Sequence, residues 1–378
     1  MSQEFRVLAI NPGSTSTKIA CFEDRRCIME RTLRHRAEDL DRFDSINGQR
    51  EFRRQAVLDA LNETGIAPTS LSAVVGRGGL LHPLGGGTYR VSDAMLRDLR
   101  DGVQGTHASN LGGILADEIA RAGGGIPSFV VDPVVVDELA DEARPSGIPG
   151  LDRTSIFHAL NQKAVARRAA ASLGRDYATC ALVVAHLGGG ITVGSHLNGR
   201  VIDVNDGLNG EGPFTPERSG GVAARKLVDL CFSGTVTRGE VTRMIKGGGG
   251  LVAYLGTNDG REIAARIDAG DADAARIYRA MAWQIAREIG AAAAALGQRP
   301  DAVVVTGGLA YDERLVEWIR DRVEWIAPTL VYPGEDEMTA LAEGAFRVLA
   351  GEEPAQDYHG AVNAAAATTG ATAEGASS

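Results

Sequence analysis

The residues with most chemical promise are cations and hydroxyls set among glycines. Asn11–Lys18 reads Asn-Pro-Gly-Ser-Thr-Ser-Thr-Lys. A phosphate needs several short-range N–H and O–H donors plus a cation, where the backbone can curl closely. Gly13 permits that turn, Ser14, Thr15, Ser16 and Thr17 offer hydroxyls, and Lys18 adds charge; a plain Ser/Thr-rich hairpin has the same composition. Neither G-x-x-x-x-G-K-[ST] nor G-x-G-x-x-G occurs, so a nucleotide would need a different architecture. Arg77 lies between Gly76 and the pair Gly78–Gly79, and Arg218 lies between Pro216 and the pair Gly220–Gly221. A guanidinium in so tight a loop either grips a carboxylate or phosphate bidentately or is solvated. His107, His158 and His186 each border an apolar segment, as structural hydrogen-bonders or as catalysts. No H-E-x-x-H spacing points to zinc. Asp132 and Glu337 sit at the ends of strand-like stretches, where an acid either holds Mg²⁺ through oxygen or caps a helix.

The elements that must position these groups follow from periodicity. Strands are predicted at Phe5–Ile10, Ile19–Glu23 and Cys27–Thr32, a meander around the hydroxyl loop. A helix over 50–64 carries the stripe Val57, Leu58 and Leu61. The short buried strand Ala73–Val75 runs into Arg77, and a helix follows over 110–122. Phe129–Val131 ends at Asp132, and Ser155–Leu173 reads as one long helix. Ala181–Ala185 opens a second glycine loop, His186–Ile191. Two echoes link the halves: Val7–Asp24 resembles Leu182–Asn198, and Ser72–Leu80 resembles Asp301–Leu309. Together they predict a duplicated α/β domain with a cleft between. The alanine-rich helix 274–296 suits close packing, or reflects helix propensity alone. Glu337–Ala350 is the last helix, and 352–378 is expected to be a flexible tail.

Of 378 residues 48 are glycine, well above the ordinary share of about 7%. No Gly-X-Y period exists, and 44% of residues are hydrophobic, so collagen and wholesale disorder are excluded. The runs 123–125 and 247–250 read as turns. The 39 Lys and Arg against 49 Asp and Glu leave a formal charge of −10, which argues against nucleic-acid and anionic-membrane surfaces. Any anionic substrate would need local cations. The four cysteines, Cys21, Cys27, Cys180 and Cys231, form no C-x-x-C pair and read as reduced thiols. With no signal peptide and no apolar run of membrane-spanning length, a cytoplasmic protein is expected.

Taken together, the ordered motifs resemble the acetokinase family, most closely its butyrate kinases, from about Val7 to Ala350. The carriers are Asn11–Lys18, Gly76–Pro83, His107–Gly113, Val130–Pro133, Ser155–Asn161, His186–Gly190, Gly212–Gly220 and Thr306–Tyr311. The resemblance implies duplicated actin-like ATPase (ribonuclease H-like) domains flanking a central cleft. The N-terminal one would span 1–134 plus 338–351, and the C-terminal one 135–337. It implies ATP-dependent, reversible phosphorylation of a short-chain carboxylate to an acyl phosphate and ADP, with Mg²⁺, in a homodimer. Asn11, Ser14, Ser16, Lys18, His186, Gly188, Gly189 and Gly190 would then line the phosphate site. Arg77 would hold the carboxylate, while His158 and Arg218 stabilise the phosphoryl group in flight. Asp132 and Glu337 would support Mg²⁺, and Asp259, Arg261, Gly307 and Gly308 would bind adenosine. Gly79, His107, Phe157 and Pro216 would form the acyl pocket.

Where acetate kinases carry a valine, this chain has Gly79, so the expected acid is butyrate or isobutyrate, with acetate, propionate and branched acids as alternatives. Each methylene is worth only about 1–3 kcal/mol in discrimination. A sugar kinase would need Asp132 as a base, and an ATP-switched binding module would need no carboxylate. Neither accounts for the glycine-flanked arginines.

Overall fold

Val7–Ile10, Ala73–Val75 and Ala302–Val305 are apolar on both sides and fully buried, as strands covered on both faces must be. The computed structural model describes residues 4–360. Contacts divide the chain into an N-terminal unit, running to Asp137 and resuming at Asp336, and a C-terminal unit, Glu138–Glu335.

In the N-terminal unit β1 (Arg6–Pro12), β2 (Ser16–Glu23) and β3 (Arg26–Arg34) form an antiparallel meander. Next come β4 (Ala73–Arg77), the antiparallel edge strand β5 (Thr88–Arg90) and β6 (Ser128–Val131). The order is β3-β2-β1-β4-β6-β5, with β1, β4 and β6 parallel. The C-terminal unit repeats the pattern. Its meander is β7 (Ala181–Leu187), β8 (Ile191–Leu197) and β9 (Arg200–Val204), joined by parallel β10 (Ala302–Gly307) and β11 (Thr329–Pro333). The order β11-β10-β7-β8-β9 is that of the first sheet without β5.

Register makes the duplication residue-specific. Val7 pairs with Ala73 and Leu182 with Ala302, so Asn11 and His186 occupy equivalent places at the ends of β1 and β7. Both meanders carry their irregularity at the same level, between Cys21 and Phe22 and between Ser195 and His196.

The helices 50–63 and 110–122 lie close to expectation, as do 272–295 and 337–349. The predicted helix from Ser155 begins only at Ala159, with His158 as its N-cap residue. That helix packs on β7 and β10, whereas the last one, Glu337–Leu349, packs on β1 and β4.

The boundaries therefore fall a few residues from those expected, and Glu337 belongs to the N-terminal unit. The flexible tail expected from 352 is also corrected. Gln356 bonds to the backbone of Thr88 and Arg90, and the buried Tyr358 hydroxyl donates to Asp98 at 2.7 Å. These contacts hold 352–360 on the N-terminal unit; residues 361–378 lie outside the described residues. Among the described residues no helix is long and apolar enough to cross a membrane.

Candidate active site

The hydroxyl loop is shaped from below by a residue that the motifs did not reveal. Arg53, on the helix 50–63, is fully buried. Its guanidinium donates to the carbonyls of Gly13 (2.9 Å), Ser14 (3.0 Å) and Ser16 (2.8 Å), and to Thr17 Oγ1. The Thr15 carbonyl accepts from His35 N–H. All four loop carbonyls are thus turned inward, leaving Ser14 and Thr15 exposed. This is the polarity an anion-binding turn requires. Burial and the Arg53 charge together press the His35 pKa down to about 4, so its ring is a neutral partner for Thr17 Oγ1 at 2.9 Å. Lys18 departs from expectation: its ammonium pairs with Glu30 at 2.8 Å, because Lys18 sits in β2 rather than in the loop.

At the end of β4, Arg77 forms an ion pair with Glu337, whose other oxygen accepts from Asn11 Nδ2 at 2.5 Å. Both Glu337 oxygens are therefore engaged by donors. In this arrangement Glu337 braces Arg77. Asp132, directly after β6, is buried at φ +37° and accepts from Gly87 N–H at 2.7 Å. A non-glycine residue held there is strained, as functional positions often are. Among the described residues no three His, Cys, Asp or Glu cluster as a metal site.

Gly79 does not open space. A Cβ there would lie 2.6 Å from Asn110 Cα and 2.8 Å from Leu99 Cδ2. The absent side chain accommodates the helix that starts at Asn110, so the argument for a larger acyl pocket at this position fails. His107 is exposed and bonds through Nδ1 to Ser109 at the start of the same helix.

The C-terminal unit builds its site on the β7–β8 hairpin. Gly188 N–H closes the turn onto Gly190 carbonyl at 3.0 Å, and Thr215 Oγ1 donates to Gly189 carbonyl at 2.7 Å. Thr215 also receives Arg218 N–H at 3.1 Å, which sets the arginine beside the hairpin. Arg218 donates to the Gly207 carbonyl, while its Nε is buried with no partner. The run 247–250 is more than a turn: a Cβ on Gly250 would lie 1.8 Å from the Thr215 carbonyl oxygen. His158 stacks on His186 with centroids 3.9 Å apart and planes at 16°. His186 is fully buried and gives Nε2–H to Glu335 at 3.0 Å. Its ring thus supports His158 from below. Phe157 and Pro216, both buried, flank these groups in sequence.

The expected adenosine residues Asp259, Arg261 and Gly308 line one open cavity of about 1270 Å³ in this unit, with Tyr278, Tyr311 and Trp318. Asp259 caps the helix 260–268 and pairs with Arg261 at 3.0 Å. Gly307, at φ +94°, turns the chain from β10 toward this cavity, and a Cβ there would strike Leu187 backbone.

Comparison with known structures defines the class first. An acetate kinase from Porphyromonas gingivalis superposes with a TM-score of 0.74 at 20% identity, covering 91% of this chain and 100% of that one. An acetate kinase from Entamoeba histolytica gives 0.70 at 17%, covering 90% and 99%. A propionate kinase from Francisella tularensis subsp. tularensis SCHU S4 gives 0.67 at 17%, covering 90% and 98%. The fold is that of the acetate kinases. More narrowly, residues 151–323, all in the C-terminal unit, match the model of the Acetokinase family.

Proposed function

We propose that this protein is an ATP-dependent carboxylate kinase, converting a short-chain acid and ATP reversibly into acyl phosphate and ADP. The observation that carries this reading is Arg218, seated in the Gly188–Gly190 hairpin beside the stacked His158 and His186, within the segment that matches the acetokinase family.

A carboxylate is already ionised at neutral pH, so no general base is required. The protein must instead align two anions and neutralise the charge of the transferring group. In this reading Arg77, braced by Glu337, holds the acid, and the loop Asn11–Ser16 offers donors to phosphate. Arg218 and His158 stabilise the phosphoryl group, and the cavity at Asp259, Arg261 and Gly308 takes adenosine. Mg²⁺ is held chiefly by phosphate oxygens and one or two carboxylates, and Asp132 is the acid here that fits. The ion supplies charge neutralisation on the phosphates.

For the acid itself, we keep butyrate or isobutyrate as the reading drawn from the sequence resemblance. Acetate and propionate fit the structural neighbours equally well. The same resemblance supports a homodimer, which the mass in solution tests. The decisive experiment incubates the protein with ATP, Mg²⁺ and C2–C5 acids and traps acyl phosphate with hydroxylamine. Acid-dependent hydroxamate supports the reading, and its absence for every acid overturns it.

A further inference from the structure

Behind His158 runs a chain of hydrogen bonds whose direction can be worked out atom by atom. Gln162 Nε2 lies 3.0 Å from the Thr192 backbone carbonyl and 2.8 Å from Thr192 Oγ1. A carbonyl only accepts, so this end of the Gln162 side chain must be its NH₂ group. The opposite end, Oε1, is then an acceptor, and His196 Nε2, 3.0 Å away, must carry a proton to reach it. His196 is wholly buried near Lys163 and Arg167, and burial followed by these charges holds it neutral. Its Nδ1 therefore accepts, and Tyr177 donates its hydroxyl hydrogen there at 2.8 Å.

The chain then reaches the site. Thr192 Oγ1 already receives Gln162 and lies 2.9 Å from His158 Nδ1. Thr192 is fully buried. If Nδ1 carried a proton and gave it to Oγ1, the threonine hydrogen would have no acceptor in this arrangement, a costly outcome for a buried hydroxyl. The consistent solution has Thr192 donating to Nδ1.

We propose that Tyr177, His196, Gln162 and Thr192 form a one-way hydrogen-bond relay that locks His158 as the tautomer bearing its proton on Nε2. His158 thereby serves the transferring phosphoryl group as a neutral N–H donor. This rests on the kinase reading for the identity of the acceptor, but the tautomer itself does not. Thr192 and Gln162 are positioning residues: they act through His158.

The test uses the full-length protein with ¹⁵N-labelled histidine. Two-bond ¹⁵N–¹H correlations report which ring nitrogen carries hydrogen, and the His158 signals are those lost in His158→Gln. Wild type is expected to show Nε2–H. Thr192→Val should admit the Nδ1–H form and lower kcat on the order of 10- to 10²-fold. KM for ATP and for the acid should stay within about twofold, the signature of a group acting in the transition state. Thr192→Ser should restore both readouts, and Gln162→Met should act in the same direction as Thr192→Val. An Nδ1–H tautomer in wild type overturns the proposal. So does an unchanged tautomer with unchanged kcat in Thr192→Val and Gln162→Met. If no acid yields acyl phosphate, the kinase reading fails alone, because the tautomer is still decided by the spectra.

Discussion

Gly190 and Arg218 are packed so closely that neither position can be considered alone. A Cβ built on Gly190 would lie 1.9 Å from Arg218 Nη1 and 2.6 Å from Cζ. The backbone of the hairpin is one wall of the guanidinium's seat, and only glycine makes that wall thin enough.

Gly190→Ala should therefore behave like a mild version of Arg218→Ala. By analogy with arginine fingers, Arg218→Ala should lose about 10³–10⁵ in kcat while ATP still binds. Gly190→Ala should lose a smaller part of kcat by displacing the same group. Single-turnover rates with nucleotide affinity measured separately check this; near-normal kcat in Arg218→Ala would remove the arginine from the mechanism.

Arg53→Met should destabilise the protein by several kcal/mol, roughly 1–3 kcal/mol for each buried carbonyl left unpaired. The carbonyls of Gly13 and Ser14 would lose this donor together, while that of Ser16 would keep Gly13 N–H. Urea unfolding measures the loss, and phosphate affinity should weaken as well if the inward carbonyls shape the loop. An unchanged affinity in a folded variant would separate the loop from phosphate binding.

Glu337→Gln distinguishes a brace from a metal ligand. Losing the ion pair to Arg77 should raise KM for the acid about tenfold with little change in the Mg²⁺ dependence. A shift in the Mg²⁺ requirement with an unchanged acid KM would restore the metal role.

Gly79→Ala should cost on the order of 1–3 kcal/mol by overpacking against Asn110 and Leu99. The relative kcat/KM across C2–C5 acids should stay as in wild type. A switch toward acetate in a stable variant would show that this position does line the acyl pocket.

Stability should also depend on pH through His35. Its folded pKa of about 4 lies below the ordinary histidine value of 6.5. Between these values the unfolded chain binds a proton that the folded chain refuses. The stabilisation is thus fully present above about pH 6.5, falls as pH drops toward 4, and levels off below, by on the order of 2–3 kcal/mol. The buried His196 is shifted in the same direction. Thermal melts from pH 4 to 8, compared with His35→Gln, should show a shallower slope in the variant.

The strands and the duplication were legible because they rest on runs of apolar residues and on two echoes in the same order. Arg77 and Arg218 stood out because glycine flanks them. Arg53 did not, because in the sequence it is one charged residue in a polar helix, and its burial arises only when the hairpin folds over it. The Lys18–Glu30 pair was illegible for the converse reason: adjacency to the loop does not say which strand face its ammonium joins. Gly79 shows the limit of reading pockets from missing side chains, since a glycine can admit a helix as readily as a ligand. The relay behind His158 joins residues 19 to 34 positions apart, and no local spacing announces it.

The exchange of helices between the sheets also bears on how the chain is made. The helix after β6 packs on the second sheet, and the first sheet, covered on one face by the helix 110–122, receives Glu337–Leu349 on the other. On the ribosome, the N-terminal strands emerge long before that helix exists. That second face of the first sheet must wait, with its apolar surface unshielded, until nearly the whole protein has been translated. A fragment ending at Asp137 would be an unfinished object rather than a free-standing domain, prone to aggregate. Supplying Glu337–Leu349 as a separate peptide is the natural way to rescue it.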